Sequence, residues 1–443
     1  MRRQPLPAAS GATIGAVLVG FGAQALLVAS GVLVARTLGL ENRGYLALLA
    51  LFPAILSELG NLGLPLAVTY YIARDRTHAA AIARSGVRPF LLQLAVLTAV
   101  HAIIVAILVC GEPRHVCTAG LFTLMVVPAS LAQRYGLAIM QGQQRFTAFN
   151  ILRLLPIAGY VGAISAISVV GSGDLPLVAL AWATSSLMAG AATLGLAGWG
   201  VLAPAFRGPG HVQAPSLGNM LGFGLRGLLG SVSPVQSLRA DQAVVGLFLS
   251  PAALGLYVVG LAFTNLPRFV AQSVGMVAYP SVAAHTDEVA ARRSMWAFFW
   301  ATVAMSVVIV APLLLAAGRL VPLFFGDEFR DAARVTQILL PGALVAGARG
   351  VLSETMKGRG HPTAGTLAEV AAWLWLAPAL GVAVPLWGVN GVALSVSTSY
   401  VVSFGVLLAL AAAQGEARLP ATLVVSPRAA WHRLRLFATP RSP

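Results

Sequence analysis

Charge is what this sequence has least of. Only 10% of its 443 residues are Asp, Glu, Lys or Arg, and just 14 are acidic. A soluble domain of this length carries roughly 25% charged residues, because its whole surface must face water. Cysteine is nearly absent: Cys110 and Cys117 flank the short segment CGEPRHVC. A disulfide between them in an oxidising compartment and two free thiols both stay open. With His115 they lack the spacing of known zinc patterns, so no metal is expected there. The chain also has no P-loop, so ATP hydrolysis is not intrinsic to it.

Apolar residues are what it has in quantity: 58% of the chain, with a mean hydropathy of +0.83. Charge-free runs cover Ile14–Ala35, Leu154–Gly173, Leu175–Phe206, Ser294–Gly318 and Val370–Gln414. A run of about 18 apolar residues crosses the hydrocarbon layer as a helix. The last run holds two crossings, split by the turn VPLWGVNG. Twelve spans fit, near 13–36, 45–73, 89–110, 118–140, 148–171, 175–200, 219–249, 252–282, 295–317, 332–356, 364–385 and 389–412. The first is too long for a cleaved signal's apolar core and reads as a retained anchor. The fold class is therefore an all-α polytopic membrane protein.

The net charge of +15 does not imply nucleic acid, because the arginines fall in short loops between apolar spans. With both termini inside, the inner loops and tails hold seventeen Lys and Arg against five outside: Arg43, Arg114, Arg319, Arg330 and Arg334. Cytoplasmic loops carry this excess, so both termini are expected in the cytoplasm. The tail around Trp431, Arg433 and Arg435 is expected to lie on the anionic inner leaflet.

The two halves repeat. Leu38–Ala50 resembles Leu249–Ala262, with Gly44 matching Gly255 at an offset of 211, and Met140–Asn150 matches Met356–Thr366 at 216. A six-span unit is even-numbered, so its copies are parallel repeats about an axis along the membrane normal. The expected organisation is a six-helix bundle over 1–202, a cytoplasmic linker over 203–218, a second six-helix bundle over 219–413 and a basic cytoplasmic tail over 414–443.

The second half carries DQAVVGLFLSPAALGLYVVGLAF (Asp241–Phe263), AYP (Ala278–Pro280), FFGDEFRDA (Phe324–Ala332) and ILLPGALVAGARGVLSETMKGRGHP (Ile338–Pro362) in that order. The first half carries GVLVARTLGLENRGYLALLA (Gly31–Ala50), then NLGLPLAVTYYIAR (Asn61–Arg74). Over roughly residues 10–412 the chain resembles the polysaccharide-transporter, Wzx-type flippases of the multidrug/oligosaccharidyl-lipid/polysaccharide (MOP) exporter superfamily. The resemblance implies a MATE/MOP-like fold and a non-enzymatic flippase of the bacterial inner membrane. Its substrate would be a lipid-linked oligosaccharide, on a polyprenyl pyrophosphate. It also implies drive from an H+ or Na+ gradient, no cofactor, and as partners membrane lipid and other glycan-assembly membrane proteins, with no nucleic acid. The motifs are patterns of Gly, Pro and aromatics, which shape loops and packing rather than chemistry.

Eleven charges remain inside the spans: Arg36, Arg134, Arg153, Arg226, Arg239, Arg268 and Arg349 against Glu58, Asp241, Glu354 and Glu369. A charge in hydrocarbon is costly and turns toward the bundle interior. A net cationic interior suits an anionic substrate, since Arg grips phosphate oxygens bidentately. By depth, Arg239, Arg268, Asp241 and Glu58, with Arg226, are candidates for the central cavity. Arg153, Glu369, Arg134, Arg349 and Glu354 lie near the inner face and are candidates for a cytoplasmic gate. Arg134 and Arg349 are repeat equivalents, as are Arg153 and Glu369, which pseudo-symmetry would bring together on closure. Snorkelling competes for these arginines and for Arg36 at the outer face. His101 is the only histidine well inside a span, and a structural role outweighs proton coupling for it.

Two other functions compete. A multidrug or organic-ion antiporter of the same superfamily wants membrane acids, and the first span has none. A glycan polymerase or ligase needs a sizeable outer loop with clustered catalytic residues. The longest outer loop, GRLVPLFFGDEFRD (Gly318–Asp331), carries no nucleophile–base set.

Overall fold

A computed structural model describes residues 9–171, 173–202, 215–229, 233, 235, 238–285 and 287–416. The predicted linker is thus mostly outside the described residues, as are Pro234 and the basic tail from residue 417. All regular structure among the described residues is helical, as a backbone that must satisfy its own hydrogen bonds in hydrocarbon requires. The first half comprises α1 (Ala9–Leu59), α2 (Leu64–Arg74), α3 (Ala79–Ser85), α4 (Val87–Leu108), α5 (Arg114–Thr123), α6 (Val126–Gly142), α7 (Phe146–Val170) and α8 (Leu175–Leu202). The second comprises α9 (Leu217–Leu229), α10 (Ala240–Phe248), α11 (Pro251–Ala262), α12 (Asn265–Ala283), α13 (Glu288–Phe325), α14 (Ala332–Gly358) and α15 (Pro362–Ala413).

Two of these helices are too long for one crossing. At 51 and 52 residues, α1 and α15 would each run about 75 Å if straight. Each breaks at a glycine in the left-handed region, Gly39 (φ 69°) and Gly388 (φ 53°), a conformation that costs a residue without Cβ little. These breaks are the expected turns between spans one and two and between eleven and twelve.

Other spans are interrupted in mid-membrane. Span two stops at Leu59 and resumes at Leu64; Asn61 spans the gap, its Nδ2 donating to the Ser57 and Glu58 carbonyls and its Oδ1 accepting from Gly63 N–H. Span seven is split between α9 and α10, and span eight bends by 46° between α11 and α12. Among the described residues eight helices are long and apolar enough to cross a bilayer, nine with that bent pair. Dividing α1 and α15 at their glycines and counting α9 with α10 accounts for the twelve expected passages.

We call inner the face that carries the arginine-rich turns. The halves meet most closely toward the outer face, where α1 packs on α11. A Cβ on Gly44 would overlap the Pro251 carbonyl, and one on Gly255 would overlap the Leu40 carbonyl. The offset of 211 turns either contact into the other, as a two-fold axis between the halves demands. Beside them Arg36 donates through Nε to the Phe324 carbonyl (2.7 Å) and through its Nη2 to that of Leu323, at the end of α13. Glu328 accepts from Leu40 N–H (3.2 Å) just past the Gly39 break. A cation from one half thus caps a helix C-terminus of the other, and an anion caps an N-terminus in return. Arg36 does not snorkel.

At the inner face, Glu416 is buried rather than part of a solvated tail. It accepts from Arg292 Nε (3.3 Å) and Arg359 Nε (2.8 Å), and its carbonyl accepts from Trp296 Nε1 (2.9 Å). This ties the end of α15 to the start of α13 and to the α14–α15 turn.

Candidate functional site

A cavity of about 720 Å³ opens among α12, α14 and α15, reaching the inner ends of α14 and α15. Small residues on these helices, among them Ala271, Gly275, Gly347, Gly350 and Gly365, leave the space. Charge is concentrated in it. Arg349 Nη1 donates to Glu369 Oε2 (2.5 Å) and Lys357 Nζ to Glu354 Oε1 (2.7 Å). The remaining lining cation, Arg268, makes no side-chain hydrogen bond or ion pair among the described residues and is half-buried. A guanidinium whose donors are unspent among the described residues, with Asp241 within electrostatic range, is suited to an anionic headgroup, above all a phosphate.

The other candidates sit around this cavity rather than in it. Arg239 adopts a left-handed backbone (φ 49°) at the start of α10, within electrostatic range of Asp241, Arg268 and Glu58. Asp241 is 1% exposed; its Oδ2 accepts from Tyr257 Oη (2.7 Å), while Oδ1 has no partner. It is not among the residues lining this cavity. Glu58 is held in the first half by Arg134 Nη2 at 2.7 Å. Arg226 lines a separate cavity with Tyr71, Asn219 and Phe223, where α9 packs on α2, and its Nε donates to the Gly222 carbonyl.

The expected gate contact is not formed in this conformation. Arg153 lies over the Phe149 ring at 5.9 Å and is exposed, while Glu369 is engaged by Arg349. The repeat equivalence that does express itself is Arg134 with Arg349: each neutralises an acid of its own half, Glu58 and Glu369. Those acids stand on different spans, so sequence offset alone would not have paired them.

Cys110 and Cys117 are free thiols. Cys117 Sγ is directed at the Val109 carbonyl (3.4 Å) instead. His101 is fully buried with neither ring nitrogen hydrogen-bonded. Among the described residues no group of three or more His, Cys, Asp or Glu is placed to hold a metal ion.

A profile described as "Polysaccharide biosynthesis protein" matches residues 33–334. The chain belongs to this polysaccharide biosynthesis family. No curated protein matches it in sequence. Among solved structures it is similar to the lipid II flippase MurJ in an inward closed conformation, with a TM-score of 0.75 and 12% identity over 96% of this chain and 90% of that one. It is also similar to an inward-facing multidrug resistance MATE transporter of the MOP superfamily (TM-score 0.66, 16% identity, 91% and 100% covered). A third is the Vibrio cholerae MATE transporter VcmN (0.58, 13%, 92% and 99%). Family and fold together make this a multi-pass membrane protein with the fold shared by MurJ and MATE transporters, which are flippases and transporters by name.

Proposed function

We propose that this polysaccharide biosynthesis family protein flips a lipid-linked oligosaccharide, on a polyprenyl pyrophosphate, from the cytoplasmic to the outer leaflet of a bacterial inner membrane. The observation that carries the reading is Arg268, a guanidinium without an ion pair among the described residues, in a cavity that reaches the inner face while the halves are closed together outside. The headgroup phosphates enter from the inner side and meet Arg268, with Arg239 close behind. The lipid tail stays in the bilayer between helices. Rocking of the units 1–202 and 219–413, joined by the 203–218 linker, then separates the outer contacts and closes the inner mouth. The inner face corresponds to the cytoplasm on the charge count, and an ion gradient supplies the drive.

Replacement of Arg268 by Ala should abolish surface glycan assembly at normal protein abundance, because a half-exposed side chain leaves without emptying the core. Arg268→Lys should restore part of it, as a point charge lacks the planar fork. Full activity of Arg268→Ala would overturn the reading. Antiport of an organic ion is the second reading, and Asp241 favours it: a buried carboxylate with one unpartnered oxygen is suited to binding a proton or a sodium ion. Efflux of a quaternary ammonium dye that is lost in Asp241→Asn, with glycan assembly intact, would select it.

A further inference from the structure

Beyond Arg268, the same cavity is electrically balanced but rich in unspent neutral polar groups. Many hydroxyls on the spans return their hydrogen bonds to their own helix, among them Thr355 to Val351, Ser395 to Gly391 and Thr398 to Leu394. Ser353 and Thr366 line the cavity without a hydrogen bond among the described residues, and the Gln272 amide is likewise unbonded among them and exposed. Trp373 lines the same space with 36% of its surface open. The two lining carboxylates, Glu354 and Glu369, are each tied to a cation.

These groups occupy a definite depth. Arg268 stands fifteen residues from the inner end of α12, about 22 Å along the helix. Arg349, Ser353 and Lys357 descend α14 toward Gly358, while Thr366, Glu369 and Trp373 climb α15 from Pro362. An anion held at Arg268 therefore has on its inner side a chamber with one aromatic face, several neutral donors and acceptors, and two cations that are each salt-bridged to a carboxylate.

We infer that this chamber is a subsite for an uncharged sugar, the one attached directly to the lipid phosphate, which stacks on Trp373 and hydrogen-bonds to Gln272, Ser353 and Thr366. The inference rests on the flippase reading above and adds the class of the first sugar. A sugar ring offers an apolar face of C–H groups to an indole and hydroxyls around its rim, which suits an aromatic wall with neutral polar neighbours. A carboxylated sugar would stand beside Glu354 and Glu369, whose cations are already engaged, so its charge would lose water without gaining a partner and it is disfavoured.

The full-length protein in lipid nanodiscs tests this by equilibrium binding of three probes. These are polyprenyl diphosphate, polyprenyl-diphosphate N-acetylglucosamine and polyprenyl-diphosphate glucuronic acid. The neutral sugar should tighten binding about 2- to 10-fold over the bare diphosphate, the range that one aromatic contact supplies. The acidic sugar should bind more weakly than the neutral one. Trp373→Ala and Gln272→Ala should each reduce the gain from the neutral sugar while still binding bare polyprenyl diphosphate, which also reports an intact fold. If bare diphosphate binds but neither sugar changes its affinity, or the acidic sugar binds as well as the neutral one, the subsite is overturned alone. If wild-type protein fails to bind bare diphosphate, the flippase reading fails and the subsite with it.

Discussion

Gly44→Ala should push the protein out of the conformation described here. The added Cβ would overlap the Pro251 carbonyl, and its nearest neighbours are all backbone atoms of Pro251, which have no rotamer to yield. Overpacking of this kind costs about 1–3 kcal/mol. The cost falls only on the state in which α1 and α11 touch, so it biases the two-state equilibrium rather than the fold as a whole. A bias of that size shifts populations about 5- to 150-fold toward the outward-open state. A cysteine at Val259, now 1% exposed beside Ala35, Val321 and Phe325, reports the opening. The background replaces Cys110 and Cys117 by Ser, and the readout is the labelling rate with an impermeant thiol reagent applied outside. Gly255→Ala should act in the same direction, because the two contacts are related by the repeat. Gly31→Ala, with nothing within 4 Å of its Cβ, should leave the rate unchanged apart from helix propensity. An unaltered rate in well-expressed Gly44→Ala, or opposite shifts in the two glycine variants, would refute the reasoning.

Three further outcomes are expected. Charge reversal at Arg349 with Glu369 (Arg349→Glu, Glu369→Arg) should recover more transport than either single change, and more than the Arg153→Glu, Glu369→Arg swap; equal recovery by both swaps would return Arg153 to the gate. Glu416→Ala strands Arg292 and Arg359, both largely buried, and should lower stability by roughly 3 kcal/mol, seen as a fall in Tm in detergent; an unchanged Tm would show the ion pairs to be without net effect. Cysteines at Ser85 and Asp174 should respectively resist and accept an impermeant thiol reagent applied outside intact cells, and the reverse pattern would invert the proposed direction of flipping.

Apolar run length determined the membrane class and the expected passages, because hydrocarbon leaves the backbone few options and length sets the crossing; the repeat was legible from segments matching at offsets of 211 and 216. The turns at Gly39 and Gly388 were legible as well, the second through VPLWGVNG, since local chemistry dictates a break. Arg268 could be singled out from its depth in span eight. That it alone among the lining cations stays unpaired could not, because Arg349 and Lys357 find their acids on neighbouring turns and helices only after packing. Depth in span seven makes Asp241 a cavity candidate, and only packing shows that its carboxylate accepts from Tyr257. Arg153 and Glu369 match by offset, which encodes equivalence about the axis; in this conformation Arg153 lies over Phe149 and Glu369 pairs with Arg349. Gly44 and Gly255, the same kind of match, do touch neighbouring backbone across the halves, since they lie where the two repeats converge. Periodicity and burial pressure act along the chain and are readable there; which charge meets which is settled by the angles at which the helices cross.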